Sequence, residues 1–388
     1  MATIVPISTQ CACLDDDGNA WIFSNEVNAL FFMKFNDNFL KYITSFEQEE
    51  ELGTGLYTDA IWFRGKIFFI PCQARNIAVY DTENSSVKYI PLEQSGICYN
   101  VVSAMKNTLL LYPAVYSKDI YLLDLESECY DHFFADYGEQ EEFIKRKVLR
   151  GKAYCKGKAH FVIDKTNRYV SFDLETRAIE INETSRNDLL FQVASDEQYL
   201  YMMRADGCAY DVYDENVYIS TCYLDEQSKI DSNDFKFDNM KYVINTIVNE
   251  NIVVSIPMKK QAVCVLEAGK LRKIKLDDTK IENYIDELQP LYVCKHYENK
   301  LILFPYHGKT IVYIDLKTDR VIYKAMDGDV SLYNLYKIMG EKFLFDSDRT
   351  WVADEKRISL NEFLNCVKRN PSYIKSVQED ILIGLKEL

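Results

Sequence analysis

The sequence predicts an all-β protein in which about eight four-stranded units close into a single ring. Three observations support this prediction: a motif that repeats along most of the chain, a composition rich in strand-forming residues, and prolines at the ends of apolar segments. Of the 388 residues, 48% are hydrophobic, and Tyr (28) and Phe (21) are abundant. Aromatic and β-branched side chains suit the pleated, half-buried surface of a sheet, so the composition favours strands.

The repeated motif is an acidic residue at the end of an apolar strand, found at intervals of 39 to 53 residues. The positions are Asp37, Asp81, Asp124, Asp173, Asp214, Glu267, Asp315 and Asp354. A short polar turn and a further strand follow the acid. Its carboxylate can accept hydrogen bonds from amides two or three residues later, which closes a hairpin. The motif therefore predicts a turn, and we assign it no catalytic role.

Two further strands come before each hairpin. The first often begins at a Tyr, and the second is hydrophobic and often ends at a proline, as at Pro71, Pro113, Pro257 and Pro305. Proline cannot donate a hydrogen bond to a sheet, so it suits the point where a strand ends. The unit therefore has four strands, called a, b, c and d in chain order. Its length is that of a propeller blade.

The sequence resembles the broad β-propeller superfamily over nearly all of the chain. The resemblance rests on the Asp-x-x-Thr turns at Asp173–Thr176 and Asp315–Thr318, which are similar to the turns of several propeller repeats. The chain has neither the Gly-Gly doublet of kelch repeats nor the blade-ending Trp-Asp of WD repeats. The resemblance therefore implies an architecture and carries over no functional residue.

We expect residues 1–358 to form a single propeller of eight blades, with seven as the alternative because the first and last units are the least regular. Ile4-Val5-Pro6-Ile7 is expected to supply a terminal strand that completes the final blade. Residues 359–388 are predicted to be a helical extension, because Ser359 and Glu362 resemble a capping box and Pro371 separates two amphipathic stretches. We expect this extension to pack on the propeller; a partner-binding or dimerising tail is the alternative.

Charge and cysteine usage exclude several classes of function. The formal net charge of −15 argues against sequence-independent binding of nucleic acid and against docking on anionic membranes. The first ten residues lack the features of a signal peptide, and no apolar stretch is long enough to span a membrane. The 11 cysteines are scattered, which favours a reducing cytoplasm. Because Cys11 and Cys13 have no second pair nearby, we expect no metal, and we expect no cofactor.

Two residue patterns indicate a binding site at one end of the ring. In a propeller, strand a lines the central channel, and the b–c turns and d–a connections share the face on which ligands usually bind. Tyrosines begin strand a at Tyr57, Tyr99, Tyr242, Tyr292 and Tyr333. Basic residues occupy the b–c turns at Arg75, Lys118, Lys165, Arg168, Arg204, Lys259, Lys260, His307, Lys309 and Arg349. If these turns converge, the mouth is a basic ring with aromatic walls, suited to anions and sugars.

A purely structural interpretation of both patterns stays open. Exposed turns commonly carry Lys or Arg, and the tyrosines could pack between blades. We favour a non-catalytic binding or scaffold propeller that recognises an anionic small molecule, a glycan, or a peptide or protein partner. The C-terminal helices are a second candidate surface for a partner. The alternative is an enzyme of the glycoside hydrolase or lyase type, with His307 and Asp59 as weak candidates for acid–base residues. His160 is expected to be a hydrogen-bonded core residue. The acidic d–a connections, which include Glu49, are expected to be a solvated rim.

Overall fold

The computed structural model describes most of the chain as far as residue 328. The described residues are 3–4, 9–25, 28–35, 37–49, 55–94, 96–105, 107–196, 198–205, 207–224, 242–249, 252–257, 262–267, 270–281, 291–305 and 308–328. The predicted helical extension, 359–388, lies outside them.

Most of the described residues belong to seven groups of four antiparallel strands, each group forming one blade in which the strands lie in chain order. Blade 1 contains β2 (Thr9–Leu14), β3 (Ala20–Ser24), β4 (Leu30–Met33) and β5 (Phe39–Thr44). Blade 2 contains β6 (Tyr57–Phe63), β7 (Lys66–Pro71), β8 (Asn76–Asp81) and β9 (Ser86–Pro91). Blade 3 contains β10 (Tyr99–Met105), β11 (Thr108–Pro113), β12 (Asp119–Asp124) and β13 (Cys129–Phe134). Blade 4 contains β14 (Leu149–Cys155), β15 (Lys158–Ile163), β16 (Arg168–Asp173) and β17 (Ile179–Glu183).

The remaining three blades repeat this arrangement. Blade 5 contains β18 (Leu190–Ser195), β19 (Leu200–Arg204), β20 (Ala209–Asp214) and β21 (Val217–Tyr223). Blade 6 contains β22 (Tyr242–Asn249), β23 (Ile252–Pro257), β24 (Ala262–Glu267) and β25 (Lys270–Lys275). Blade 7 contains β26 (Leu291–Tyr297), β27 (Lys300–Pro305), β28 (Thr310–Asp315) and β29 (Val321–Ala325). Two short strands, β1 (Thr3–Ile4) and β30 (Asp327–Gly328), and short helical turns at Gly138–Gln140, Glu141–Ile144 and Asp278–Lys280 complete the described elements.

The blades pack face to face, and the core consists of apolar clusters shared by neighbouring blades. The two middle strands of a blade, such as β7 and β8, are buried along nearly their whole length, while the outer strand alternates. A strand buried on both faces is expected to be continuously apolar, which is the sequence pattern seen here. In the cluster between blades 1 and 7, Ala12 and Ile22 pack with Phe304 and Tyr313.

The inner strands close the ring after seven blades. Each strand a contacts the next one around the axis, and β26 of blade 7 contacts β2 of blade 1. The expectation of eight blades is therefore wrong, and the alternative of seven is correct. The unit assigned to Asp354 lies outside the described residues, and the ring is complete without it. The number of blades could not be obtained by counting copies of the acidic motif, because a repeated motif does not show which unit contacts the first one when the ring closes.

The outer edge of blade 1 contains strands from both ends of the described chain. β30 pairs in parallel with β5, and β1 pairs antiparallel with β30. The Asn38 amide donates to an Asp327 carboxylate oxygen at 3.0 Å, and the Asp327 N–H donates to the Asn38 carbonyl at 2.8 Å. The sequence predicts that Ile4-Val5-Pro6-Ile7 completes the final blade. The terminal strand β1 instead joins the edge of the first blade. Residues 5–7 of that segment lie outside the described residues.

The acidic motif closes hairpins as predicted. In four blades the first carboxylate oxygen of Asp81, Asp124, Asp173 or Asp315 accepts N–H groups two and three residues later, at 2.7 to 3.1 Å. These backbone hydrogen bonds lower the pKa of each of the four carboxyls. The residue four positions after each Asp has a positive φ of 53° to 60° and completes the turn.

Among the described residues, no helix is both long and apolar enough to cross a membrane.

Candidate binding site in the channel and at its mouth

The channel is enclosed by the seven strands a: β2, β6, β10, β14, β18, β22 and β26. The mouth is the face formed by the b–c turns and the d–a connections. The sequence predicts the ligand site at this mouth.

Two of the predicted tyrosines lie in the core between blades. Tyr57 is 2% exposed and Tyr99 is 1% exposed. The Tyr57 ring lies 4.8 Å from the ring of Phe23 and 5.6 Å from that of Phe46, both outside its own blade. The prediction that Tyr57 and Tyr99 form aromatic walls for a ligand is therefore wrong, because apolar neighbours from the adjacent blade cover the rings. The side chains of Tyr242 and Tyr292, and all of Tyr333, lie outside the described residues.

Three of the predicted mouth cations are paired with carboxylates. Lys118 Nζ lies 2.7 Å from Glu141 Oε2, and an Arg168 Nη lies 3.6 Å from Glu183 Oε2. The Arg204 guanidinium donates to both oxygens of the buried Asp211, at 2.8 and 3.1 Å. Asp188, in the connection before blade 5, lies 3.4 Å from Arg204. These three side chains do not present uncompensated positive charge at the mouth.

For the other predicted cations, the structure gives at most their position in the fold. Arg75 and Lys309 lie at the b–c turns of blades 2 and 7, as expected, and Lys165 lies at that of blade 4. Lys259, Lys260, His307 and Arg349 lie outside the described residues, so the prediction that they bind a ligand stays a prediction.

Two acids of the d–a connections, Glu49 and Glu141, form hydrogen bonds with neighbouring b–c turns. Glu49 is only 4% exposed, and its carboxylate accepts the backbone N–H groups of Arg75 at 2.8 Å and Asn76 at 3.2 Å. Glu141 accepts from both Lys118 and the Tyr116 hydroxyl. The prediction of a solvated acidic rim is therefore wrong for Glu49, whose charge satisfies turn amides that would otherwise be buried without partners.

A cluster of charged residues inside the channel was not predicted as a unit. Asp59 on β6 contacts Lys152 on β14 through Oδ2 and Lys295 on β26 through Oδ1, the latter at 3.4 Å. The three residues belong to blades 2, 4 and 7, so their side chains meet across the interior of the ring. We call Asp59, Lys152 and Lys295 the channel cluster.

The channel cluster keeps Asp59 ionised. Burial alone raises the pKa of its carboxyl, but the two ammonium groups and the Ala60 N–H at 3.0 Å outweigh it, and the pKa falls to about 2. Burial lowers the pKa of Lys295, but the Asp59 carboxylate opposes this and the pKa lies above its ordinary value. Near neutral pH the cluster therefore holds two positive charges and one negative charge.

The backbone of β14 explains how Lys152 reaches the channel. The register shifts between Arg150 and Ala153, which is a β-bulge, and a bulge re-aims the side chains beside it. Gly151, within the bulge, has a φ of +111°, and a Cβ there would lie 2.6 Å from Val193 of β18. A glycine is required at this close approach. Gly151 directly before a lysine was the sequence signal that could have indicated the site.

Two of the three described histidines, His160 and His132, are poorly placed for acid–base chemistry; the third, His296, lies on β26, and burial lowers its pKa. His160 is 6% exposed, its Nδ1 lies 3.0 Å from Ser171 Oγ, and burial lowers its pKa to about 4. It is therefore a core residue, as predicted. His132 Nε2 pairs with Asp119 Oδ1 at 2.9 Å on the outer part of blade 3. No group of three or more His, Cys, Asp or Glu side chains in the described ranges could hold a metal ion.

The closed ring of four-stranded sheets defines the class of protein: the chain is a seven-bladed β-propeller. Neither a protein-family model nor a curated protein matches its sequence.

Solved structures of the same fold include enzymes and a peptide-bound protein. Virginiamycin B lyase from Staphylococcus aureus superposes with a TM-score of 0.57 at 8% identity, covering 79% of this chain and 97% of that one. A streptogramin B lyase gives 0.58 at 9% identity, covering 84% and 97%. YCF48 bound to the D1 peptide gives 0.56 at 12% identity, covering 80% and 94%. At these identities the similarity shows the fold alone.

Proposed function

We propose that this protein is a non-catalytic binding propeller that holds an anionic group of a small molecule, a glycan or a peptide partner in its channel. The observation that supports this most directly is the channel cluster, in which two lysines share one carboxylate. The proposal keeps the anionic ligand predicted from the sequence and moves its site inward from the mouth.

The charge balance of the cluster favours an anion. Within the described part of the chain, Asp59 is the only carboxylate within salt-bridge distance of Lys152 or Lys295. One positive charge is therefore left over in a protein whose net charge is −15. Clustered charge inside a cleft with low-dielectric walls focuses the field and attracts the opposite charge.

The lysines also have unused hydrogen-bonding capacity. Each ammonium group has three N–H donors, and the described contacts with Asp59 use one from each. The side chains of Lys152 and Lys295 are 46% and 25% exposed, so both can reach a ligand in the channel. Asp59 can in addition accept a hydrogen bond from a ligand hydroxyl.

The enzyme alternative has weaker support. A general acid or base works best when its pKa lies near the operating pH. Asp59 has a pKa of about 2 and both of its oxygens contact cations, so it is a poor candidate for proton transfer. His307 lies outside the described residues. Similarity to lyases at 8 or 9% identity does not favour catalysis over binding.

A thermal-shift titration with defined anions tests the proposal. The probes are inorganic phosphate, glucose 6-phosphate, galacturonate and an acidic peptide, added to the full chain at constant ionic strength. A ligand that binds only the native state raises the Tm as its concentration increases. We expect at least one anion to raise the Tm of the wild type, and Asp59→Asn to bind that anion more tightly because it removes the competing carboxylate.

Matched variants separate the channel from the mouth. Lys152→Met/Lys295→Met should abolish the shift, whereas Lys118→Met at the mouth should retain it; circular dichroism checks that each variant is folded. An equal shift in the wild type and the double variant would overturn the channel site. The absence of a shift with every probe, in both the wild type and Asp59→Asn, would overturn the binding of small anions.

A further inference from the structure

Two cysteines at the mouth form a pair that the proposed function does not use. Cys72 follows β7 in blade 2, and Cys98 precedes β10 in blade 3. Each thiol shifts the pKa of the other, so the two side chains are near neighbours, and both residues are half-buried. The other described cysteines are either fully buried, like Cys11 and Cys13, or lack a thiol partner of this kind in the described structure.

The backbone places the segments that carry the two cysteines side by side. The Gly96 N–H donates to the Ala74 carbonyl at 3.4 Å, so the segment leading to Cys98 runs beside the b–c turn of blade 2. The Cys72 N–H donates to the Leu56 carbonyl at 2.8 Å, and the Cys98 carbonyl accepts the Ala114 N–H at 2.7 Å. Each cysteine is thus anchored to its own blade.

We propose that Cys72 and Cys98 are a reversible oxidation site, at which a peroxide converts the two thiols into a disulfide that joins blades 2 and 3. The S–S bond formed would be about 2.0 Å long. Because the cysteines lie on different blades, the bond links the b–c turn of blade 2 to the start of strand a in blade 3.

The environment favours Cys98 as the attacking sulfur. The Cys72 thiol lowers the pKa of Cys98, with smaller contributions from the Thr58 hydroxyl and the Lys152 ammonium, although burial opposes them. The thiolate is the nucleophilic form of cysteine. The lowered pKa increases the fraction of Cys98 that is present as the reactive thiolate.

The chemistry balances with hydrogen peroxide as the oxidant. The Cys98 thiolate attacks one peroxide oxygen, the O–O bond breaks, and Cys98 becomes a sulfenic acid as hydroxide leaves. Cys72 sulfur then attacks the Cys98 sulfur, the S–O bond breaks, and the S–S bond forms as the second hydroxide leaves. The two thiol protons end in two water molecules, and the two electrons lost by the thiols reduce the peroxide.

Mass spectrometry of the full chain tests the site. The reduced protein is treated with equimolar hydrogen peroxide at pH 7.5, remaining thiols are blocked with N-ethylmaleimide, and unreduced peptides are mapped. We expect a Cys72–Cys98 crosslink that forms faster than any other cysteine oxidation and disappears on adding a reducing agent. In Cys72→Ser, Cys98 should instead accumulate a sulfenic acid that dimedone traps.

A matched control uses the exposed Cys129 on β13. Cys129→Ser should leave the Cys72–Cys98 crosslink and its rate unchanged. The rate of Cys98 alkylation by iodoacetamide in the wild type should rise with pH, with a midpoint below the ordinary thiol pKa of 9.0. The proposal is overturned if peroxide modifies Cys129 before Cys98, or if Cys98 forms disulfides without preference for Cys72.

Discussion

Basic side chains at the mouth and in the channel differ in how their charge is compensated. At the mouth, Lys118 and Arg168 each pair with a glutamate, and Arg204 is placed between two aspartates. In the channel, Lys152 and Lys295 share Asp59 alone among the described carboxylates. The difference indicates that the mouth cations fix the turns and connections of the propeller. The excess charge of the channel cluster has no second carboxylate partner among the described residues, and in the proposed function it is available to a ligand.

The largest loss of stability is expected on substitution of Asp211, the buried partner of Arg204 at the mouth. Asp211 is fully buried and also accepts a hydrogen bond from the Thr221 hydroxyl at 2.6 Å. Asp211→Ala leaves a guanidinium that is only 14% exposed without its main partner. Breaking such a pair costs about 3–5 kcal/mol, and urea denaturation should show a loss of about 3 kcal/mol in the free energy of unfolding because Asp188 remains nearby.

The isosteric change Asp211→Asn is the control for this prediction. It keeps the shape and the hydrogen bond with Thr221, so its loss should be smaller than that of Asp211→Ala. A loss under about 1 kcal/mol for the alanine variant would contradict a structural role for this pair, since exposed ion pairs contribute that little.

An intermediate loss of stability is expected on substitution of Asp59, and the size of this loss should depend on pH. Its pKa is about 2 in the folded protein and 3.8 ordinarily, so the folded state favours the ionised form. A lowered carboxyl pKa stabilises the protein above the ordinary value, and this contribution is lost as the pH falls through the folded value. Asp59→Asn should therefore cost about 2 kcal/mol at pH 5, and the difference from the wild type should approach zero near pH 2.

Urea denaturation of the wild type and Asp59→Asn between pH 2 and pH 5 checks this prediction. Because other carboxyls titrate in the same range in both proteins, the difference between the two curves isolates Asp59. A difference that does not change with pH would mean that the lysines do not hold the ionised form.

The smallest loss of stability is expected on substitution of Glu183, the partner of Arg168 at the mouth. The two side chains are 57% and 36% exposed, and their charged atoms are 3.6 Å apart. Solvent screens such a pair, so Glu183→Ala should change the free energy of unfolding by less than about 0.5 kcal/mol. Measured beside Asp211→Ala, it shows whether burial decides which mouth pairs stabilise the propeller. A cost above 1 kcal/mol for Glu183→Ala would contradict that rule.

Local features of the sequence predicted the blades, and features that depend on ring closure were missed. The turn at Asp173 could be predicted because its partners, Glu175 and Thr176, are two and three residues away. Tyr57 starts a strand as predicted, but its ring packs against Phe46 from the preceding connection. Sequence periodicity tells which residues share a face and does not tell which neighbour covers it.

The channel cluster shows the same limit for the site. Asp59 was recognised as an inner-strand acid, but its partners lie in blades 4 and 7 with no local motif to connect them. Lys295 is 236 residues from Asp59 along the chain. Only the number of blades and the radius of the ring determine that these side chains meet, and neither is encoded in a short segment.

The outer edge of blade 1 has a consequence for synthesis on the ribosome. Asn38 meets Asp327, which emerges from the exit tunnel 289 residues later. The apolar face formed by Ala12, Ile22 and Phe31 likewise has no partner until blade 7 has been translated. For most of translation the nascent chain is an open stack with an uncovered face and an unpaired strand edge, both of which promote aggregation. The demand for chaperones should therefore be greatest just before blade 7 emerges and fall once β30 has docked.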